Sequence, residues 1–541
     1  MTGGTAATYQ QRGWWRRQTF LDDLTRQARR QPHRLAVAAR RVAAGRTDTL
    51  DYGELEATSE RFARGLVALG VRPGQVVAVQ LANRWEMAAL VFACIRVGAV
   101  ICPIAPVCPD DELRHRLTLT EAPVCITMAE WDGHRPAAGV LALRDAVPSL
   151  RHVVVLERAD DGEGIDFERH FGAEQAGGPP DPDWALGPDD PFVVLFTSGT
   201  TGLSKGVLHS QNTVHAAVRG YADAFLLDRG STIAVTTPLV HYSGFGQGLL
   251  ASVLVGGIVA FQDLPRTDLL LDLVERYRAN LVYGPPATMR DLLATQAVAP
   301  RNVESLRHVV VGSATVLTEL VEAVRETFDA RTYSVWGMSE FGPVTITRPE
   351  YLDTWPARSN GRPIGADQLR IEPLADGPAT GATAGRLLAR GASRALGYYR
   401  NQEAFDACIT ADGWFDTGDL AVGDGQDGIR VLGRASDAMV RDGEVVPAPE
   451  LEAYLTSHPA IADATLVGLH EHSDRPRILA VVVRSGPAVP TLDELREHLH
   501  RAGRPERFWP DRLEAVDSIP RTLTGKVRKA QLRSRYEAEA S

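Results

Sequence analysis

Stretches with the helical spacing of apolar residues alternate with short β-branched runs along most of this chain, and that alternation restricts its architecture more than any other feature. Residues 62–69 have a helical period and lead into an apolar run at 75–81, and a second helical stretch at 87–97 precedes another run at 99–104. Farther on, the run at 307–312 is followed by a helical period over 317–328. A helix or a strand buries its apolar face only against another layer, so this order predicts layered α/β architecture with largely parallel sheets. At 541 residues the chain is also too long for one core. The pattern changes after residue 361, where Gly-rich turns separate short runs at 368–372, 385–390 and 429–432 and predict a small β-subdomain. Beyond residue 437 it is mixed again, with helices expected near 449–457 and 492–501 and strands at 464–469 and 478–483. The expected division is a large domain over residues 1–435 and a small α+β domain over 436–541.

The charge balance removes some functions. A net charge of -10 leaves no basic surplus to neutralise nucleic-acid phosphates. The basic N-terminal cluster, Arg12, Arg16, Arg17, Arg26, Arg29 and Arg30, is interrupted by Asp22 and Asp23, as on a solvated amphipathic helix. No apolar signal region follows the first basic residues, and the longest largely apolar run, 249–261, is too short to span a bilayer. Five cysteines without C-x-x-C spacing suit a reducing cytosol and give no zinc signal. The expectation is a cytoplasmic enzyme with small-molecule partners and no nucleic-acid or membrane partner.

The segment TSGTTGLSKG at 197–206 follows the apolar run FVVLF and packs five hydroxyls, three glycines and a lysine into ten residues. Glycines let backbone N–H groups approach an anion, hydroxyls donate to phosphate oxygens, and Lys205 adds charge. Lys205 is followed by Gly206, so the segment is not a Walker A loop. Four further segments carry usable chemistry: YSVWGMSE at 333–340, WFDTGD at 414–419, GRASD at 433–437 and PRTLTGK at 520–526. An aromatic face stacks on a base, a carboxylate holds Mg²⁺ beside phosphates, and the turn expected at 414–419 exposes two carboxylates as acceptors for a ribose diol. Singly each is an ordinary turn. His241, read alone, is more often a packed structural histidine than a functional one.

In this order, the segments resemble those of the adenylate-forming superfamily of acyl-CoA synthetases, peptide-synthetase adenylation domains and luciferases, over residues 19 to 533. The chain looks most similar to the cyclohexanecarboxylate- and aryl-acid-CoA ligases. The resemblance implies a phosphate loop made of Thr197, Ser198, Gly199, Thr200, Thr201, Gly202 and Lys205, with Thr200 among the donors active in adenylation. It implies an adenine-facing turn at Gly312, Ser313 and Ala314, adenine stacking by Trp336 beside Gly337 and Ser339, and Mg²⁺ at Glu340. Asp419 and Arg434 match ribose-binding positions. Lys526 matches the lysine that contacts the carboxylate and the α-phosphate. His241 matches the gate of an acyl pocket formed with Tyr242, Gly244, Phe245, Gly284 and Met338. The small domain is expected to be mobile about a hinge at Ser436. ATP and Mg²⁺ are the implied cofactors, CoA the implied acceptor, and a monomer or homodimer the implied state.

Several positions depart from the family pattern. Ser204 replaces a proline, a change expected to leave phosphate binding intact, and Trp336 replaces a tyrosine. Ser436 stands at the hinge in place of Asp or Lys. Asp442-Gly443-Glu444 replaces Gly-Gly-Glu, which puts a carboxylate beside the expected pantetheine tunnel. Three functions follow. The first is adenylation of a small cyclic or aryl acid with transfer to CoA. The second keeps adenylation but uses a carrier-protein thiol, an amine, or nitrite plus an arylamine as acceptor. The third is a nucleotide sensor without catalysis, against which the retention of Lys526, Glu340, Asp419 and Arg434 argues.

Overall fold

A computed structural model describes residues 6–160, 162–172, 178–197, 203–374, 384–469, 476–521 and 526–538. Among these residues the strands form five sheets. One of nine strands runs from Arg362–Pro363 at one edge through Gly342–Ile346, Arg331–Met338 and His308–Val311 to Leu35–Arg41 and Arg46–Asp51 at the other. One of eight strands centres on Val76–Gln80 and Val100–Ile104 and carries Pro191–Thr197, Lys205–Ser210 and Gly397–Tyr398 toward one edge. Most interior pairings in both sheets are parallel, as the alternation predicts.

The expected helix at 62–69 belongs to the longer helix Tyr52–Ala68, which opens on a capping box at Asp51 and Glu54. That helix, Trp85–Arg96 and Gln211–Ala224 join both large sheets in one core, with Val37, Val259, Val77, Ile101 and Phe192 in the same cluster. Trp85–Arg96 is buried on nearly every side, which explains a sequence apolar all round rather than along one stripe.

A four-stranded antiparallel sheet follows, made of Gln368–Pro373, Gly385–Arg390, Phe415–Gly423 and Ile429–Arg434. The smaller C-terminal domain holds a three-stranded sheet, Ile461–Leu469, Arg477–Arg484 and Arg512–Val516, with helices Ala448–Thr456, Leu492–Arg501 and Lys529–Ala538 against it. No helix among the described residues is long and apolar enough to cross a membrane. All five cysteines are free.

One local expectation needs correction. Residues 414–419 are not an exposed turn, because Phe415–Gly423 is a continuous strand. Gly418, at φ +72°, absorbs the local irregularity, and its N–H is taken by the Asp416 carboxylate. Asp416 pairs with Arg386, and Asp419 is buried.

Candidate active site

The strand Pro191–Thr197 and its antiparallel partner Lys205–Ser210 form a hairpin whose connection is the hydroxyl- and glycine-rich segment. Thr197 and Lys205 face each other at its mouth, and the Thr197 hydroxyl donates to the Lys205 carbonyl at 3.4 Å. Ser198, Gly199, Thr200, Thr201 and Gly202 lie outside the described residues. The foot of the segment is fixed to the helix Asp110–Thr120. The Ser204 hydroxyl donates to the Glu112 carboxylate, and the Ser204 carbonyl lies 2.9 Å from His115 Nε2. Burial alone would raise the Glu112 pKa, but the Ser204 hydroxyl and Arg116 outweigh it and hold it below the ordinary value. Proline has no hydroxyl for this anchor, so Ser204 does more here than avoid harm.

Asp419 and Arg434 are direct cross-strand partners, with Arg434 Nε 3.2 Å from Asp419 Oδ1. The Trp336 indole N–H donates to Asp419 Oδ2 at 3.1 Å, and Arg434 also donates to the Thr417 carbonyl at 2.8 Å. Burial pushes the Asp419 carboxyl up, while Arg434, Trp336 and Lys526 pull it down. Trp336 lies at the end of Arg331–Met338, where the register with Gly342–Ile346 shifts between Trp336 and Gly337. A Cβ on Gly337 would sit 2.1 Å from the Gly342 carbonyl oxygen, so the close approach of the two strands requires glycine.

Glu340 is buried just past this strand. Its Oε1 accepts the Tyr398 hydroxyl at 2.8 Å, and its other oxygen has no hydrogen bond among the described residues. His209 Nε2 lies 2.7 Å from the Ser339 carbonyl, and burial lowers the His209 pKa to about 4, which keeps the ring neutral. Lys526 comes from the C-terminal domain and lies within electrostatic reach of this cluster. Desolvation and then Arg434 lower its pKa, while Glu340 and Asp419 oppose them. The Lys526 side chain remains solvent-accessible.

The residues expected to form an acyl pocket come from several elements. His241 opens the segment leading into the π-helical turn Ser243–Leu250, a rare geometry frequent at functional sites. Burial, then Arg116 and Lys526, lower the His241 pKa, so the imidazole is neutral at pH 7. Gly244 lies against the Pro238 carbonyl oxygen, which a Cβ would approach to 2.3 Å. Phe245 packs on Phe192 with ring centroids 5.8 Å apart, and Tyr242 packs on His209 at 5.3 Å. Gly284 ends the strand Leu281–Gly284, and Met338 packs beside Phe341 and Tyr398. Burial raises the Tyr283 pKa to about 12 against the lowering effect of Ser243 and Ser313. Gly312 abuts that tyrosine, Ser313 is held at φ +70°, and Ala314 is exposed beside it.

Ser436 is exposed in the short 3-10 turn Ala435–Asp437. Asp442 and Gly443, at φ +52° and +77°, form the two-residue turn between Val440–Arg441 and Glu444–Val445. Asp-Gly is a favoured pair for such a turn, so hairpin geometry accounts for Asp442, and its side chain is exposed. The sequence reading missed Tyr398, Glu112, His115 and His209. Tyr398 follows Gly397 in a two-residue strand, where a single aromatic looks the same as a core residue.

The AMP-binding enzyme family profile matches residues 24–399, and the AMP-binding enzyme C-terminal domain profile matches residues 450–526. Triostin synthetase I of Streptomyces triostinicus is 31% identical, covering 98% of this chain and 96% of that protein. The salicyl-AMP ligase / salicyl-S-ArCP synthetase of Mycobacterium tuberculosis is 31% identical, covering 97% and 92%. The crystal structure of the anthranilate CoA ligase AuaEII with anthranoyl-AMP superposes with a TM-score of 0.84 at 21% identity, covering 97% and 98%, a likeness of fold.

Proposed function

The chain belongs to the AMP-binding enzyme family and is an AMP-forming acid ligase, and from that premise we propose that it activates a small cyclic or aromatic carboxylic acid and passes the acyl group to the thiol of CoA. The observation that carries this reading is the cluster of Asp419 with Arg434 and Trp336, which with the buried Glu340 lies within electrostatic reach of Lys526. A carboxylate and a triphosphate repel each other, so their reaction needs cations and donors where charge develops. In the proposed first step a carboxylate oxygen attacks the α-phosphorus of ATP. The bond from that phosphorus to the bridging oxygen breaks, and its electron pair leaves with pyrophosphate. Lys526 steadies the carboxylate and α-phosphate oxygens, while Thr197, Lys205 and loop residues 198–202 hold the phosphates.

In the same reading Asp419, beside Arg434, accepts the ribose hydroxyls, since a carboxylate oxygen has lone pairs left after one hydrogen bond. Trp336 lies against adenine, edged by Gly312, Ser313 and Ala314. Glu340 would hold Mg²⁺: one buried carboxylate with an oxygen unengaged among the described residues suits an ion that takes one or two carboxylates and leaves its other positions to phosphate and water. When bound, that ion neutralises phosphate charge. His241 gates the arriving thiol. Tyr242 and Phe245 back the acyl pocket from the core, and Gly244, Gly284 and Met338 shape it. Residues 436–541 turn about Ser436 against 1–435, so that Lys526 withdraws after adenylation and the thiol sulfur attacks the acyl carbon, releasing AMP.

The salicyl-AMP ligase relative supports an aromatic acid, and its second name, salicyl-S-ArCP synthetase, favours a carrier-protein thiol as the second reading of the acceptor. The test is pyrophosphate release across a panel of aryl and alicyclic acids, with products identified by mass spectrometry with and without CoA. The expected result is acid-dependent release, with an acyl-CoA formed when CoA is present. A thioester that forms only on a phosphopantetheinylated carrier protein selects the second reading. Pyrophosphate release that no acid stimulates contradicts both.

A further inference from the structure

Tyr398 joins two parts of the proposed site that lie far apart in sequence. The short strand Gly397–Tyr398 pairs antiparallel with Lys205–Ser210, placing Gly397 opposite Leu208 and Tyr398 opposite Val207. Backbone bonds tighten the junction: Tyr399 N–H to the Gly206 carbonyl at 2.7 Å, and Ala395 N–H to the Glu340 carbonyl at 2.7 Å. The segment around Tyr398 therefore straps both the foot of the phosphate loop and the backbone of Glu340. Tyr398 itself is buried, edge-on to Phe405 with centroids 5.2 Å apart. Its hydroxyl donates to Glu340 Oε1 at 2.8 Å, and Lys205 Nζ sits 4.7 Å from the centre of its ring.

We propose that Tyr398 is a positioning residue that orients the Glu340 carboxylate for a divalent cation and holds the Lys205 ammonium beside it. The proposal rests on the reading of Glu340 as the metal-binding carboxylate. A phenol donating to a carboxylate forms a charge-assisted bond and occupies one oxygen, which turns the other toward the nucleotide. A ring face under an ammonium holds that charge by cation–π attraction. The phosphate-loop lysine and the cation carboxylate are thus set by one side chain.

Tyr398→Phe keeps the ring, its packing and the contact with Lys205, and deletes only the hydroxyl. The probe is Mn²⁺, titrated by electron paramagnetic resonance into protein holding a non-hydrolysable ATP analogue, with no acid present. Loss of a partner to a ligating carboxylate costs about 10–100-fold in metal affinity. That weakening is expected for Tyr398→Phe, with the metal-free affinity for the analogue unchanged. Tyr398→Leu also removes the ring and is expected to weaken the analogue even without metal. Unchanged Mn²⁺ affinity in Tyr398→Phe, where Glu340→Gln loses it, overturns the role of Tyr398 alone. Unchanged affinity in Glu340→Gln overturns the reading of Glu340 and the proposal with it.

Discussion

At the scale of the residue, the charge on Lys526 matters as much as its position. Desolvation and the Arg434 cation lower its pKa from the ordinary 10.5, so the ammonium is lost at a lower pH than on a free lysine. The proposed role needs the charged form. Adenylation should therefore fall as pH rises through this lowered value, with the inflection below 10.5. Lys526→Arg stays protonated throughout, so whatever its absolute rate, its profile should lose that alkaline limb. Single-turnover rates of pyrophosphate release against pH measure this, and an identical limb in the Arg variant assigns the titration elsewhere. His241 works in the opposite sense, because its lowered pKa leaves it neutral where Lys526 is charged. It can then gate an anionic donor without holding it as a cation would.

At the scale of the element, Asp367 shows how a buried group can work against the fold. It lies just ahead of the strand Gln368–Pro373, accepts the Ser393 hydroxyl and, at 3.4 Å, the Ser393 N–H, and burial raises its pKa to about 7. Gly391 makes room for it, since a Cβ there would fall 2.0 Å from Asp367 Oδ1. The folded state keeps the proton that the unfolded chain releases near 3.8, so this group's stabilising contribution falls as pH rises from about 4 to about 7 and is level beyond. Asp367→Asn, which cannot ionise, should therefore stabilise the protein more at pH 8 than at pH 5 relative to wild type. Denaturant midpoints at the two values check it, and an equal shift at both contradicts the account.

The same elements show what can be read from sequence. The helix Thr318–Phe328 and the strands Val76–Gln80 and Gly385–Arg390 lie within a residue or two of their expected bounds, because periodicity and burial agree there. The strand at 415–423 was hidden by its Trp-Phe-Asp-Thr-Gly-Asp composition, since the positive φ of Gly418 is accommodated inside a strand rather than ending one. In the site, the Asp419–Arg434 pairing is a matter of register, and the Tyr398–Glu340 and Ser204–Glu112 contacts join segments 58 and 92 residues apart. Local pattern carries no information about such pairs. Asp442 drew attention as a departure from a family pattern, yet turn geometry explains it.

At the scale of the whole molecule, the C-terminal domain is seated on the four-stranded sheet. Glu450, at the start of the helix Ala448–Thr456, pairs with Arg430 on that sheet and with Arg504 on its own side. Leu420 and Leu432 of the sheet pack with Val445, and Gly433 lies close to Pro449. Within the small domain, Arg533 reaches Asp437 at 3.4 Å, next to Ser436. In this seating Lys526 lies within electrostatic reach of Glu340 and Asp419, as the proposed adenylation step requires. The central claim is that a cation from the small domain completes a site otherwise built by the large one. Its most direct test is single-turnover pyrophosphate release with ATP and an accepted aryl acid in Lys526→Ala, alongside the variant's ATP affinity. The account predicts a loss of about 10²–10³-fold in rate, the scale of removing one electrostatic stabiliser, with ATP binding little changed. A near-normal rate, or a loss fully explained by weaker ATP binding, would contradict it.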